Sequence, residues 1–176
     1  MNQRSILHET SKYPTSLIVR GSDALGVEIA RTLLEQGGFV ILIDNDSNLT
    51  RSRLAPLKEF KTFVLLDFTA LDHLDEDLRR LDYIFYFQHK SVDLNDIIST
   101  QEFLQYSNYL DQILDLTTKF DAKFLLTTAI KAHQMVISDK DLDWNFGIQA
   151  AEKHTVYTEV EIQRYSESLV KEYQEK

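Results

Sequence analysis

The residues with the clearest chemical meaning lie in two short stretches, Val19-Arg20-Gly21-Ser22-Asp23-Ala24-Leu25-Gly26 and Ile43-Asp44-Asn45-Asp46. Glycines where a strand turns into a helix let the backbone approach a pyrophosphate at the helix N-terminus, and an acid about 20 residues on accepts hydrogen bonds from ribose hydroxyls. Gly21 and Gly26 fit the first role and Asp44 the second, with Ser22, Leu25 and Asn45 beside them. Asp23 stands where the middle glycine of such a turn belongs. Its side chain takes space that phosphate needs, and its charge repels phosphate by on the order of 1 kcal/mol in partly screened surroundings. Asp67 and Phe68 follow a later apolar run, where Asp67 can touch a base or cap a turn. The same residues also have a structural reading: the Gly turn as the tightest join of strand and helix, and Asp-Asn-Asp-Ser as a turn with Ser47 or Asn48 as helix cap.

Composition narrows the chemistry further. The chain has 176 residues, enough to bury roughly 70% of the surface its unfolded form exposes, so a core needs no metal or disulfide staples. There is no cysteine, which removes disulfides, Cys-based zinc sites, iron–sulfur clusters and thiol nucleophiles. Acids outnumber Lys and Arg by 28 to 19, giving a formal net charge of -9, which works against nucleic acid and anionic membrane surfaces. No stretch approaches the ~20 apolar residues of a membrane span, and the first residues hold no signal-peptide core. The expectation is a cytoplasmic protein with no nucleic-acid partner and no membrane contact. His89, His133 and His154 each lack a second ligand at metal spacing, and the acidic run 72–77 lacks the alternation and central Gly of a calcium loop, so no metal is expected.

The elements that must position these residues follow from periodicity. Residues 1–15 are polar and reach Pro14, which reads as a flexible N-terminal arm, with one domain over 16–176. Five short apolar runs, 17–19, 39–43, 62–66, 83–87 and 123–127, have the composition of strands covered on both faces. Leu25, Ile29, Leu33 and Leu34 recur at helical spacing before Gly37 and Gly38, completing a strand–helix–strand unit. Further helices are expected over 49–60, broken or started late by Pro56, and over 71–80. Phe103, Tyr106, Leu110, Ile113 and Leu114 trace one late helical stripe, and Ile162, Tyr165, Leu169 and Tyr173 another. This alternation predicts an α/β fold with a doubly wound, mostly parallel, Rossmann-like sheet.

Taken together, the Gly turn at 21–26, Asp44, Asp67, the strand at 82–87, Asn108 and the run Lys123-Phe124-Leu125-Leu126-Thr127-Thr128-Ala129 resemble the extended short-chain dehydrogenases/reductases, the NAD-dependent nucleotide-sugar epimerases and dehydratases. The resemblance covers roughly residues 16–176 and lacks the C-terminal substrate portion. It implies NAD as cofactor, held by Gly21, Ser22, Asp23, Leu25, Gly26, Asp44, Asn45, Asp67, Phe68 and Asn108. It also implies a homodimer through helices around 101–119 and 155–173. The family's catalytic Ser or Thr, Tyr and Lys fall on Ala129, Glu159 and Gln163, and none of these can do that proton chemistry. Thr128 and Tyr157 are the nearest substitutes, yet Tyr157 would face Glu161, whose charge raises a phenol pKa. The expectation is therefore a binding or assembly module without intact catalysis, possessing at most residual dinucleotide affinity. The alternatives are an epimerase or dehydratase completed by a downstream part or a partner protein, and a nucleotide-sensing regulatory domain.

Overall fold

A computed structural model describes residues 7–45, 48–87, 100–127 and 154–174. The five apolar runs become β1 (Thr15–Val19), β2 (Phe39–Ile43), β3 (Phe63–Leu66), β4 (Tyr83–Phe87) and β5 (Lys123–Thr127). They form one all-parallel sheet in the order β3-β2-β1-β4-β5, so β1 lies between β2 and β4 and the chain reverses its direction of winding there. In open sheets of this kind ligands bind beyond the carboxyl ends of the strands at that reversal. Val19, Ile43 and Leu66 are in register across three strands, which brings the segments after β1, β2 and β3 to one edge.

The helices are α1 (Ala24–Glu35), α2 (Asn48–Arg53), α3 (Leu71–Asp77), α4 (Thr100–Phe120) and α5 (His154–Gln174). One face of the sheet packs Ile18, Val40, Leu42 and Phe87 against Ala30 and Leu34 of α1 and Leu54 and Leu57 after α2. Alternate residues Leu17, Val19, Ile41, Ile43, Ile84 and Tyr86 turn to the other face and are buried as well, which is why these strands carry apolar residues on both faces. The buried positions of α1 are Gly26, Ala30 and Leu34, spaced by one helical turn. Small residues at the first two let the helix lie close to the sheet. Leu25, expected on that apolar stripe, is 57% exposed, because the helix turns its Gly26 side inward instead. Gly37, with φ of +82°, ends α1 in the left-handed conformation that glycine adopts without strain.

Contacts divide the chain into two compact units, residues 1–87 with 112–127 and residues 88–111 with 128–176. The sheet lies in the first. There, Lys119 pairs with Asp75 at 2.8 Å and Gln112 donates to Asp72 at 3.1 Å, tying the end of α4 to α3. In the second, the Tyr173 hydroxyl donates to Asp111 at 3.0 Å, and Tyr106 and Ser166 are buried.

Several boundaries differ from the sequence reading, β1 beginning at Thr15 and β3 at Phe63 among them. Residues 7–15, expected within a flexible arm, contain a 3-10 turn (His8–Lys12) with Leu7 and Thr10 buried. Thr10 Oγ1 donates to the Leu7 carbonyl and accepts from the Arg79 N–H, a tertiary pairing that polar composition conceals. The expected helix over 49–60 divides into α2 and a 3-10 turn (Ala55–Glu59), because Pro56 has no N–H to carry α2 onward. α3 ends at Asp77 rather than Arg80, where Leu78 turns to extended backbone.

Candidate functional site

The turn between β1 and α1 is closed by its own groups. Asp23 is the N-cap of α1, and its Oδ1 accepts from the Gly26 N–H at 2.7 Å. That N–H is one of the unsatisfied helix donors to which a phosphate would bind, so the carboxylate of Asp23 occupies the place of an anion. Both glycines are required by packing. A Cβ on Gly26 would lie 2.3 Å from the Gly21 carbonyl oxygen, and one on Gly21 would lie 2.3 Å from Ile18 Cγ2. Arg20 enters the turn with φ of 60°, an uncommon conformation for a residue with a side chain, held by its N–H donating to the Ile43 carbonyl at 2.7 Å. Its guanidinium lies 5.5 Å from the centre of the buried Phe68 ring.

Asp44 lies at the end of β2 and latches this turn. Its Oδ2 accepts from the Ser22 N–H at 3.0 Å and its Oδ1 from the Asn45 N–H at 2.7 Å. Each carboxylate oxygen has a further lone pair, so this latch still leaves acceptor capacity for a ribose hydroxyl. Asp67 begins a 3-10 turn (Phe68–Ala70), accepting from the Thr69 N–H at 2.9 Å and from the Thr69 hydroxyl. A cleft of about 510 Å³ opens beside these two acids, lined by Arg51, Lys58, Leu65, Leu66, Thr69 and His73 among others. Its volume is in the range of small-ligand pockets.

The structure therefore brings Gly21, Ser22, Asp23, Gly26, Asp44, Asn45, Asp67 and Phe68 to one end of the sheet. Leu25 points to solvent, and Asn108 is exposed on α4 within the other unit. Thr128 and Ala129 lie outside the described residues, as do the side chains of Tyr157, Glu159 and Gln163 on α5. The sequence reading missed Arg51, Arg53 and Lys58, the cations on and just after α2; their signal was the recurrence of basic residues in the segment that follows the strand-two acid. Among the described residues there is no group of three or more His, Asp or Glu that could hold a metal, and no helix long and apolar enough to cross a membrane.

No family model matches the chain, and no curated protein does. Solved structures are similar to it. A reductase engineered to attenuate substrate inhibition in asymmetric catalysis is 13% identical, over 93% of this chain and 54% of that one, with a TM-score of 0.64. Yeast methylglyoxal/isovaleraldehyde reductase complexed with NADPH is 14% identical over 92% and 54%, with a TM-score of 0.59. The NADPH-dependent 3-quinuclidinone reductase from Rhodotorula rubra is 17% identical over 76% and 58%, with a TM-score of 0.51. At such identities the likeness is one of fold alone, a Rossmann-type α/β sheet. The chain spans about half the length of these structures.

Proposed function

We propose that this chain is a Rossmann-type module that binds an adenine dinucleotide at the carboxyl edge of its sheet and works by binding or assembly rather than turnover. The observation that carries the reading is the Asp44–Ser22 latch, which holds the Gly turn against the strand-two acid next to a cleft that Asp67 also lines. The adenosine end of a dinucleotide fits this donor and acceptor set. The pyrophosphate end fits poorly, because Asp23 already caps the helix N-terminus. The non-catalytic part of the reading rests on Ala129, Glu159 and Gln163, which offer no hydroxyl, phenol or ammonium where the nucleotide-sugar epimerases and dehydratases would need them.

Calorimetric titration of NADH and NADPH into the full chain tests this. Saturable binding, weakened by Asp44→Ala and unaccompanied by oxidation or reduction of added substrates, is the expected result. Homodimerisation through 101–119 and 155–173 belongs to the same proposal and draws on Leu104 and Tyr165, exposed on those helices; sedimentation of the chain measures it.

A second reading is favoured by the reductases among the similar structures and by the length of chain they have beyond the matched part. In it the chain is the nucleotide half of an oxidoreductase of the epimerase or dehydratase type, and a further segment or a partner supplies the substrate half. A bound nicotinamide would supply the hydride chemistry. Turnover of a UDP-sugar that disappears in Thr128→Ala or Tyr157→Phe would establish this reading in place of the first.

A further inference from the structure

Among the described residues β5 ends the sheet on one side and pairs with β4 alone. The Lys123 N–H donates inward to the Asp82 carbonyl at 2.9 Å, and Lys123, Leu125 and Thr127 lie opposite Tyr83, Phe85 and Phe87. Along a strand the backbone groups turn alternately to one side and the other, so the N–H and C=O of Phe124 and Leu126 face outward from this edge. Soluble proteins blunt such edges with charge, proline or a bulge. In β5 the one charged residue is Lys123, at the start of the strand, and its ammonium lies 5.8 Å from the centre of the Tyr83 ring, back over the sheet. Phe124, Leu125 and Leu126 follow with no guard, and Leu125 is 49% exposed. The chain has a net charge of -9, yet β5 contains no acid, so two copies can meet here without the repulsion they carry elsewhere.

We propose that the outer edge of β5 is a self-association surface, on which a second copy of this chain pairs its own β5 antiparallel about a two-fold axis at Leu125. In that register Phe124 lies opposite the partner's Leu126 and Leu126 opposite the partner's Phe124. These are hydrogen-bonded pairs, and they satisfy every outward N–H and C=O of both residues. Leu125 meets the partner's Leu125 in the closer, non-hydrogen-bonded position, which covers its exposed side chain. Lys123 faces the partner's Thr127, so the two cations stay apart. The contact is isologous, as a two-fold dimer requires, and continues the sheet from one copy into the next. It draws on backbone groups at the edge opposite β3 and is independent of both the nucleotide reading and the helix contact through 101–119 and 155–173.

Hydrogen exchange of the full chain at high and low protein concentration tests the pairing without any substitution. The Phe124 and Leu126 amides should be protected when the protein is concentrated and exchange quickly on dilution. The chain has no cysteine, so Leu125→Cys introduces a single reporter. Two such residues facing each other at about 4.5 Å between Cα atoms should form an interchain disulfide on mild oxidation. Lys123→Cys, whose copies lie about 13 Å apart along the paired strands, should not. Leu125→Lys sets like charges on the axis and should weaken association by at least about tenfold. Fast exchange of both amides at every concentration would overturn the proposal. So would protection that is independent of concentration, which would mean an edge covered from within the chain, or Lys123→Cys cross-linking as readily as Leu125→Cys.

Discussion

The turn after β1 and the cleft beside β3 belong to the same edge of the sheet and differ in what lines them: backbone closed on its own groups in the one, charged side chains of both signs in the other. In the turn, the protein answers its own groups: Asp23 takes the Gly26 N–H, Asp44 takes the Ser22 N–H, and Gly21 and Gly26 press together with no room for a Cβ. In the cleft, Arg51 and Lys58 share a cavity with Asp44, Asp67 and Asp77. A glycine turn between strand and helix can thus keep its backbone shape while one of its own side chains takes the helix N–H that an anion would bind. Shape and ligand preference are separable at a turn of this kind, and affinity must then come from its neighbours.

The largest effect should come from breaking the shape. Gly26→Ala forces a Cβ to within 2.3 Å of the Gly21 carbonyl and 2.5 Å of its Cα, both backbone, so the turn or α1 must move. Urea denaturation should show a loss of about 3 kcal/mol, at the upper end of overpacking costs. An unchanged midpoint would mean that the turn is not tightly packed. Asp44→Ala removes a charged acceptor from two backbone N–H groups and should cost about 2 kcal/mol. Faster hydrogen exchange at the Ser22 amide would identify the lost latch as the cause.

Smaller effects sharpen the contrast between shape and charge. Asp23→Ser keeps a capping oxygen without the charge, so stability should hold while NADPH affinity rises about fivefold, the equivalent of ~1 kcal/mol of relieved repulsion. Asp23→Ala should cost about 1 kcal/mol of stability through the lost cap. If Asp23→Ser lowers affinity, the carboxylate helps to hold the ligand and the contrast between turn and cleft fails.

The smallest effect concerns the opposite end of the sheet. Burial pushes the Asp82 carboxyl up, but bonds from Arg80 and the Thr15 N–H, with the Arg80 charge, hold it below the ordinary value. A carboxyl depressed in the folded state adds stability that is present above the unfolded value of about 3.9 and is lost as pH falls through the folded one. Thermal midpoints of the unmodified chain should therefore fall more steeply below about pH 4 than those of Asp82→Asn. Parallel curves would show that this ion pair does not report on folding.

Much of the fold was legible because the inner parallel strands are buried and mostly apolar; β5, expected to be covered on both faces, lies at the sheet edge with none of its residues buried. The runs 39–43, 83–87 and 123–127 coincide with β2, β4 and β5 to the residue, and strict bounding by polar or turn residues made this so. Thr15 and Ser16 were left out of β1 since polar residues carry no strand signal, yet both are buried and paired with β2. Of the site, the positions of Gly21, Gly26 and Asp44 followed from the strand–turn–helix pattern. The roles did not: that Asp23 would cap Gly26, and that Arg53 would meet Ser22 31 positions away, depends on side-chain direction across separate elements. The packed turn at His8–Lys12 was hidden for the same reason, its partner being Arg79.

The most direct test of the proposed nucleotide site is to follow backbone amide resonances of the full chain during a titration with NADPH. Saturable shifts confined to Gly21, Ser22, Gly26, Asn45, Asp67 and Thr69, with Thr15 and Asp82 at the far end of the sheet unmoved, are the predicted result. A folded chain whose amides do not move up to millimolar ligand, or move only away from these segments, would contradict it.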